Sequence, residues 1–428
     1  MNMRNRRNTR KRNVVLDTIT NKNFIIVSSI LLFIIIISFG IIKYRNYKDK
    51  LLIAKQAEEL SKQTEEIFAS METSLKNPSE GSSGQTKTTT AKIAAVGDIL
   101  CQMDMINDAY SDGKYDFNYM FTNIDKFLNN SDIKLGTLET NFTDKEFSGV
   151  KKYNSPIEFL QAVKKSGINL VSLAHNHVLD YGEDGLNSTI SKVKEQDLSI
   201  TGIKDNPEND NKEFTGIIKE VRGIKIAFLG YTYGLSNEEE LSEEEKARAN
   251  IYSEELAKKD IEYAKENSNY IITIMHWGEV NKSEITNYQR DITGFLVNNG
   301  VDMILGSHPS VVEPMEIIQN SEGKNILVAY SLGNYISSLK YENADVELVL
   351  NIQIAKSSDS DKAVLEKVDY TPIYVLDNGT KAENRFELTD MKQLALDYAN
   401  GDTSKITRKT YDQLIKKLGR LQKVVNNK

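Results

Sequence analysis

Residues 169–177 have the sequence Asn-Leu-Val-Ser-Leu-Ala-His-Asn-His, a short apolar run that ends in polar side chains. An apolar run of this length is typical of a buried strand. Open α/β sheets bind ligands at the carboxyl ends of their parallel strands, where His175, Asn176 and His177 would then lie. The stretch therefore predicts an α/β sheet with a polar site along one edge.

Four other apolar runs end in the same way. The residues that end or follow them are Asp98, Glu139, His276 and His308. Together with residues 169–177, these runs contain all four histidines of the chain. Each residue has a structural explanation when taken alone: His276 next to Trp277 fits a core histidine, and His308 before Pro309 fits a turn. Their shared position at strand ends favours one site assembled from distant segments.

The residue types at these strand ends suit a transition metal. Oxygen and nitrogen ligands are offered by Asp98, Glu139, Asn176, His276 and His308. This mixture favours Mn, Fe or Zn over calcium, which prefers more carboxylates and no imidazole. His177 is the candidate catalytic proton donor, and Asp180 is the candidate residue that orients its imidazole.

Charge is distributed unevenly along the 428 residues. Residues 1–50 contain eleven Lys/Arg and two Asp/Glu, a net charge of +9; because the whole chain carries −7, residues 51–428 carry −16. An acidic body does not favour nucleic-acid binding, which depends on cationic neutralisation of phosphates. The single cysteine, Cys101, excludes an intrachain disulfide framework.

The segment 24–42 contains nineteen uncharged residues and predicts one transmembrane helix. At 1.5 Å per residue it would span about 28 Å, close to the ~30 Å hydrocarbon core. No small-residue cleavage site follows it, which favours an uncleaved signal anchor. Seven Lys/Arg in residues 4–23 against six in 43–62 only slightly favour a cytoplasmic tail at 1–23.

We expect residues 43–90 to form a helical stalk and a flexible linker, because residues 77–90 are rich in Ser, Thr and Gly. Apolar runs then alternate with amphipathic stretches, which indicates a layered α/β domain over 91–378. Residues 379–428 are predicted to be C-terminal helices. Strands are expected at 92–97, 133–138, 168–173, 224–231, 270–275, 301–305, 326–331, 346–355 and 364–376, and helices at 116–129, 156–166, 184–196, 253–267, 285–299 and within 387–424.

Six motifs in this order resemble the CapA family of membrane-anchored poly-γ-glutamate (capsule) biosynthesis proteins. They are Val96-Gly-Asp-Ile99, Leu138-Glu-Thr-Asn141, Ala174-His-Asn-His177 with Leu179-Asp-Tyr-Gly182, His276-Trp-Gly278, Gly306-Ser-His-Pro309 with Glu313-Pro-Met-Glu316, and Tyr330-Ser-Leu-Gly-Asn-Tyr335. The resemblance implies a four-layer α/β/β/α sandwich like that of the calcineurin-type metallophosphatases. It also implies a domain outside the cytoplasm, on a single-pass protein of the bacterial cell membrane.

The resemblance assigns roles to several residues. Asp98, Asn176, His276 and His308 match metal-binding positions, Glu139 falls where a metal-bridging Asp is expected, and His177 matches the proton donor. Leu100 and Ser310 stand where the metallophosphatase pattern has histidines, and His175 stands where related capsule proteins carry Asn. These departures argue against a two-metal phosphatase and favour one metal or none.

Three functions remain open from the sequence. The first is a membrane-anchored protein that acts in the synthesis or export of poly-γ-glutamate or a related anionic envelope polymer. The second is a metal-dependent phosphoesterase or amide hydrolase. The third is a non-enzymatic assembly subunit that binds a membrane synthase or exporter.

Overall fold

A computed structural model describes residues 87–204 and 213–425, together with residues 33–41 and separate positions between 43 and 62. The predicted basic tail 1–23, residues 24–32 and 42 of the predicted membrane segment, and residues 63–86 of the stalk and linker lie outside the described residues. Residues 33–41 are helical. Within the described part of the chain, no helix combines the length and the apolar character that a membrane crossing needs.

The described residues fall into two compact units, one within residues 1–61 and 399–401 and the other within residues 62–398 and 402–428. The strands of the second unit, numbered in chain order, are β1 (Thr88–Ile99), β2 (Tyr110–Ser111), β3 (Lys114–Tyr115), β4 (Ile133–Leu138), β5 (Ser148–Val150), β6 (Lys152–Asn154), β7 (Leu170–Ser172), β8 (Ser199–Thr201), β9 (Ile217–Val221), β10 (Ile224–Thr232), β11 (Tyr270–His276), β12 (Met303–Ser307), β13 (Met315–Gln319), β14 (Asn325–Ala329), β15 (Asn334–Ile336), β16 (Val346–Ser357), β17 (Val364–Asp377) and β18 (Phe386–Asp390).

Its α-helices are α1 (Met103–Asp108), α2 (Asp125–Leu128), α3 (Ile157–Lys165), α4 (Gly182–Glu195), α5 (Glu243–Lys246), α6 (Glu254–Asn267), α7 (Asn287–Asn298), α8 (Met391–Ala399) and α9 (Arg408–Val425). Short 3-10 helices lie at Asn118–Phe121 and Glu238–Glu240.

The strands form two mixed sheets and two small hairpins. The first sheet has the order β18-β17-β16-β1-β4-β7-β8, with β15 also paired to β1. The second has the order β13-β14-β12-β11-β10-β9. Strands β1, β4, β7 and β8 run parallel to one another in the first sheet, and β10, β11, β12 and β14 run parallel to one another in the second. Their carboxyl ends supply the predicted site.

The two sheets face each other. The Ser307 hydroxyl of the second sheet lies 3.2 Å from the Thr137 hydroxyl of the first, and the Thr201 hydroxyl donates to the carbonyl of Phe228 across the interface at 2.7 Å. A Cβ atom on Gly230 would lie 2.8 Å from Ser172 Oγ and 2.9 Å from the backbone Cα of Gly202. The backbones therefore approach so closely there that only glycine fits.

Helices cover the outer face of each sheet. On the first sheet, Phe159, Leu160 and Val163 of α3 share an apolar core with Ala94 and Val171. On the second sheet, α6 and α7 bury Ile261, Ala264 and Leu296 against strand residues that include Leu229 and Ile304. The layers follow the order helix, sheet, sheet, helix. This agrees with the predicted four-layer α/β arrangement.

Two predictions for local structure before the C-terminal region were wrong. The helix expected over 116–129 is a 3-10 turn at Asn118–Phe121 followed by the short helix α2. Phe117, Phe121 and Leu128 are buried as a helix would bury them, but helical spacing of apolar residues reports burial rather than a continuous set of helical hydrogen bonds. The region expected to be linker up to residue 90 also ends earlier, because β1 begins at Thr88.

The C-terminal region begins with a strand rather than a helix. Residues 386–390 form β18, which pairs antiparallel with β17 and buries Phe386 and Leu388. The helices expected within 387–424 begin only at Met391, and they end at Ala399 and Val425. In α9 the buried residues recur at intervals of three and four, namely Tyr411, Leu414, Leu418, Leu421 and Val425. This periodicity is that of one helix face packed on the domain.

Candidate metal centre

The predicted site residues meet at the carboxyl ends of five strands. Asp98 lies near the end of β1 and His276 is the last residue of β11, while Glu139, Asn176 and His308 lie in the loops after β4, β7 and β12. All five side chains are buried, with exposed fractions of 8% or less. The structure thus brings together residues that are separated by up to 210 positions in the chain.

His276 is the centre of this group. Its Nε2 atom lies 2.9 Å from Asn176 Oδ1, 3.1 Å from His308 Nδ1 and 3.9 Å from Glu139 Oε1. The ligand atoms of Glu139, His276 and His308 all lie within 4.8 Å of one another. Two imidazole nitrogens, a carboxylate and an amide oxygen therefore converge on one small space, which is the donor set of a site for Zn, Mn or Fe.

Asp98 contacts the opposite edge of the His276 ring. Its Oδ1 atom lies 3.3 Å from His276 Nδ1, and its Oδ2 atom accepts a hydrogen bond from the backbone N–H of His308 at 2.7 Å. His308 has a positive φ of 101°, which that hydrogen bond helps to hold. The geometry places Asp98 behind the converging atoms, so its predicted role as a metal ligand stays a prediction.

Burial sets the charge balance of the centre. Burial, and then the charges of Asp98 and Asp180, raise the pKa of Glu139 well above its usual value. Burial, and then the neighbouring His276 and His177, lower the pKa of His308 well below its usual value. A neutral His308 can ligate a metal, and no Lys or Arg of the described chain forms an ion pair with Glu139. Glu139 therefore has no cationic Lys or Arg partner among the described residues, and a divalent cation would supply one.

His177 and Asp180 form a dyad at the edge of this group. His177 Nδ1 lies 3.0 Å and 3.1 Å from the two carboxylate oxygens of Asp180, and the Asp180 side chain is almost fully buried. The hydroxyl of Ser236 lies 3.1 Å from the same Nδ1 atom, and the Ser236 N–H donates to the carbonyl of Asn176 at 2.8 Å. These contacts fix the ring through Nδ1 and direct Nε2 away from them.

Three residues near the centre were not found from the sequence. Ser236 fixes His177, while the Tyr233 ring lies 4.7 Å from the His308 ring and the Tyr153 ring lies edge-on at 4.5 Å from His177. Ser236 and Tyr233 follow β10, whose carboxyl end lies at the same rim, so the strand-end rule applied to residues 224–231 would have indicated them. Tyr153 comes from the hairpin β5–β6, for which the sequence carries no comparable signal.

The two positions that depart from the metallophosphatase pattern supply no nitrogen to the centre. Leu100 is buried, and its backbone N–H donates to the carbonyl of Ile336 at 3.0 Å. The Ser310 hydroxyl lies 3.4 Å from the carbonyl of His308. His175 is also buried, with its ring centroid 6.2 Å from that of His276. The pKa of His175 is well below its usual value, chiefly because the ring is buried and also because His276 and His177 lie near it.

Comparison with known proteins identifies the family. The family model described as "Bacterial capsule synthesis protein PGA_cap" matches residues 92–339, which is more than half of the chain. The chain belongs to this capsule synthesis family. The matched region extends from β1 to just beyond β15, and so it contains every residue of the candidate metal centre described above.

Two curated relatives of this chain carry related names. It is 28% identical over 234 residues to "Capsule biosynthesis protein CapA" of Bacillus anthracis, a match that covers 52% of this chain and 54% of that protein. It is 26% identical over 179 residues to "PGA biosynthesis protein CapA" of Bacillus subtilis (strain 168), covering 42% and 45%. The chain thus spans about half the length of the curated relatives that it matches.

Among solved structures, the likeness is weaker. NAD nucleotidase of Haemophilus influenzae is 15% identical with a TM-score of 0.42, covering 78% of this chain and 60% of that one. A phosphatase from Mycoplasma pneumoniae is 13% identical with a TM-score of 0.40, covering 67% and 95%. TM-scores below 0.5 are too low to support an inference about this chain.

Proposed function

We propose that this chain takes part in the synthesis or export of an anionic cell-envelope polymer, with poly-γ-glutamate as the leading candidate. Its membership of the capsule synthesis family and the names of its curated relatives support this function. The observation that carries the proposal is the convergence of Glu139, Asn176 and His308 on His276 Nε2. The acidic body would repel an acidic polymer unless a cation stood between them.

The residues that would hold a divalent ion are Glu139, Asn176, His276 and His308. A bound ion would act as a Lewis acid toward a phosphoryl or carbonyl oxygen and would lower the pKa of water. Asp98 accepts from the His308 backbone and faces His276 Nδ1, which leaves His276 Nε2 toward the centre. A carboxylate behind a ligating histidine fixes the tautomer and raises its basicity.

The Asp180–His177 dyad supports a second candidate function, hydrolysis of a phosphoester or a γ-glutamyl amide. Asp180 contacts Nδ1 of His177, so it orients the ring and stabilises an imidazolium. Nε2 of His177 makes no hydrogen bond with the described residues. Nε2 is therefore the atom that would donate a proton to a leaving group.

We further propose that residues 24–42 anchor the chain in the bacterial membrane as a single-pass segment, with the domain outside the cytoplasm. The described part of this segment supports the proposal, because Phe33, Ile35, Ile36 and Phe39 are each about 60% exposed in a helix. A run of exposed apolar side chains indicates an apolar environment.

The test is a strain in which the chromosomal copy carries His276→Ala, with the exposed Glu322→Gln as control. The proposal predicts loss of most extracellular polymer in His276→Ala and normal polymer in the control, with equal amounts of membrane-bound protein. Normal polymer in His276→Ala would refute a role for the metal centre. The chain would then be an assembly subunit whose pocket is not needed.

A further inference from the structure

Gln102 is a buried residue whose side-chain amide makes hydrogen bonds through its oxygen only. Its Oε1 atom accepts a hydrogen bond from the backbone N–H of Ser338 at 2.6 Å. Its Nε2 atom has no hydrogen-bond partner among the described residues, although the residue is only 6% exposed. A buried amide without a partner costs free energy, so such donors are normally satisfied by protein, water or a ligand.

The surrounding backbone fixes the orientation of Gln102. The residue ends the segment after β1 and precedes α1, where its carbonyl accepts from the N–H groups of Met105 and Ile106. Hairpin β5–β6 covers it so closely that a Cβ atom on Gly149 would meet the Gln102 Cα at 2.4 Å. With Oε1 held by Ser338, the amide cannot exchange its two ends without losing that bond.

Tyr153 of the same hairpin lies between Gln102 and the His177 dyad. Its N–H donates to Asp180 Oδ2 at 2.8 Å, and its carbonyl accepts from the Asn141 side chain at 3.1 Å. The same Asn141 amide donates to the carbonyl of His177 at 2.9 Å, which ties the two residues together. These contacts hold the Tyr153 backbone, and its half-buried ring packs edge-on against His177.

The Tyr153 hydroxyl remains a donor at neutral pH. Burial first, and then the charge of Glu139, raise its pKa above the usual value. Tyr153 is paired in the hairpin with Gly149, the residue that packs on Gln102, and its ring lies 4.5 Å from that of His177. Two donors, one amide and one phenol, thus lie together at the His177 edge of the centre.

We propose that Gln102 and Tyr153 form a donor pair that binds an oxyanion of the substrate, a phosphate or a carboxylate, next to His177. The inference rests on the proposed function, because a cation held by Glu139 and its neighbours offsets the negative charge that would otherwise repel an anion. Side-chain amide and phenol donors recognise anionic oxygens through charge-assisted hydrogen bonds. The pair would position the substrate for the proton transfer assigned to His177.

The test compares variants of the purified full-length protein, loaded with Mn²⁺, in calorimetric titrations with two probes, inorganic phosphate and tri-γ-glutamate. Gln102→Glu keeps the acceptor for Ser338 and removes the Nε2 donor, while Tyr153→Phe removes only a hydroxyl. Tyr110→Phe, at an exposed tyrosine, is the control. We expect each of the first two variants to weaken binding of the recognised probe by about tenfold or more. The control should bind as the wild type does, and metal content should be equal in all four proteins.

The probe that the wild type binds identifies the source of the oxyanion. Unchanged affinity in both Gln102→Glu and Tyr153→Phe, with normal metal content, would overturn the donor pair while leaving the metal centre intact. Failure of the metal-loaded wild type to bind either probe would also overturn it. Failure of the wild type to bind a metal contradicts the proposed function instead, and metal analysis of each preparation separates the two outcomes.

Discussion

Asp98 and His276 form the pair on which the metal centre is built, with Asp98 Oδ1 3.3 Å from His276 Nδ1 and both side chains fully buried. They come from different sheets, β1 and β11, so the contact bridges the sandwich. Because Asp98 occupies the Nδ1 side of the ring, Nε2 faces Asn176, His308 and Glu139. Together with the Ser307 hydroxyl, which lies 3.2 Å from the same Nδ1 atom, the Asp98 carboxylate leaves Nε2 as the nitrogen presented to a cation.

From this arrangement we expect Asp98→Asn to weaken metal binding without removing the site. Loss of a carboxylate behind a ligating histidine typically lowers metal affinity about 10–100-fold. Isothermal titration of the metal-free protein with Mn²⁺ or Zn²⁺ would show the lower affinity at an unchanged stoichiometry. A complete loss of binding in Asp98→Asn would instead make Asp98 a direct ligand, as the sequence predicts.

A second prediction concerns His177. If the imidazole protonates a leaving group, His177→Ala should lower turnover of a poor leaving group about 10²–10⁴-fold, which is the usual contribution of general acid catalysis. An aryl substrate with an acidic phenol needs no such proton and should lose much less. Rates for the two substrates, measured with the same enzyme preparation, give the ratio. Equal losses on both substrates would exclude the acid role.

A third prediction concerns Glu313, which follows His308 in the same loop. Burial raises the pKa of Glu313 to about 8, although the Gln289 amide, which donates to it at 2.7 Å, opposes the rise. The folded state therefore keeps a proton that the unfolded state loses above its ordinary pKa of 4.5. The stability from this group is fully present below that pKa and is lost as pH rises through about 8.

Denaturant unfolding at several pH values between 5 and 8 tests this sign. The wild type should lose up to about 1.4 kcal/mol of unfolding free energy per pH unit from this group. Glu313→Gln, which cannot ionise, should show a flatter profile over the same window. Parallel profiles for the two proteins would show that Glu313 is already ionised in the folded state.

A fourth prediction concerns Gly97, at which the backbones of two segments beside the site come into close contact. A Cβ atom on Gly97 would lie 1.8 Å from the carbonyl oxygen of Gly333, so Gly97→Ala must displace backbone beside Asp98. We expect a loss of about 3 kcal/mol or more in the free energy of unfolding, together with loss of the metal. Gly294 in α7 is the matched control, since nothing lies within 4 Å of a Cβ there. Gly294→Ala should stabilise the helix by about 0.5–1 kcal/mol.

The position of the candidate metal centre could be predicted from the sequence because it follows from a simple relation between sequence and topology. Apolar runs form buried strands, and parallel strands bring their carboxyl ends to one rim. That relation located Glu139, Asn176, His276 and His308 without knowledge of strand order. It could not assign their contacts, and it gave no reason to place Asp98 behind His276 rather than beside Glu139.

The remaining features depend on contacts that no local pattern encodes. Tyr153 is brought to the side of Gln102 by its hairpin partner Gly149, which packs on Gln102. Neither residue has a distinctive neighbour in sequence. Strand β18 is five residues long and is specified by its pairing with β17 rather than by its own composition. Short strands of this kind are set by tertiary context more than by propensity.

Metal analysis of the purified full-length protein tests the central claim most directly. With four convergent ligands at His276, the wild type and the Glu322→Gln control should each bind one divalent ion per chain, and His276→Ala should bind none. Equal metal content in the wild type and His276→Ala, whether one ion or zero, would contradict the account.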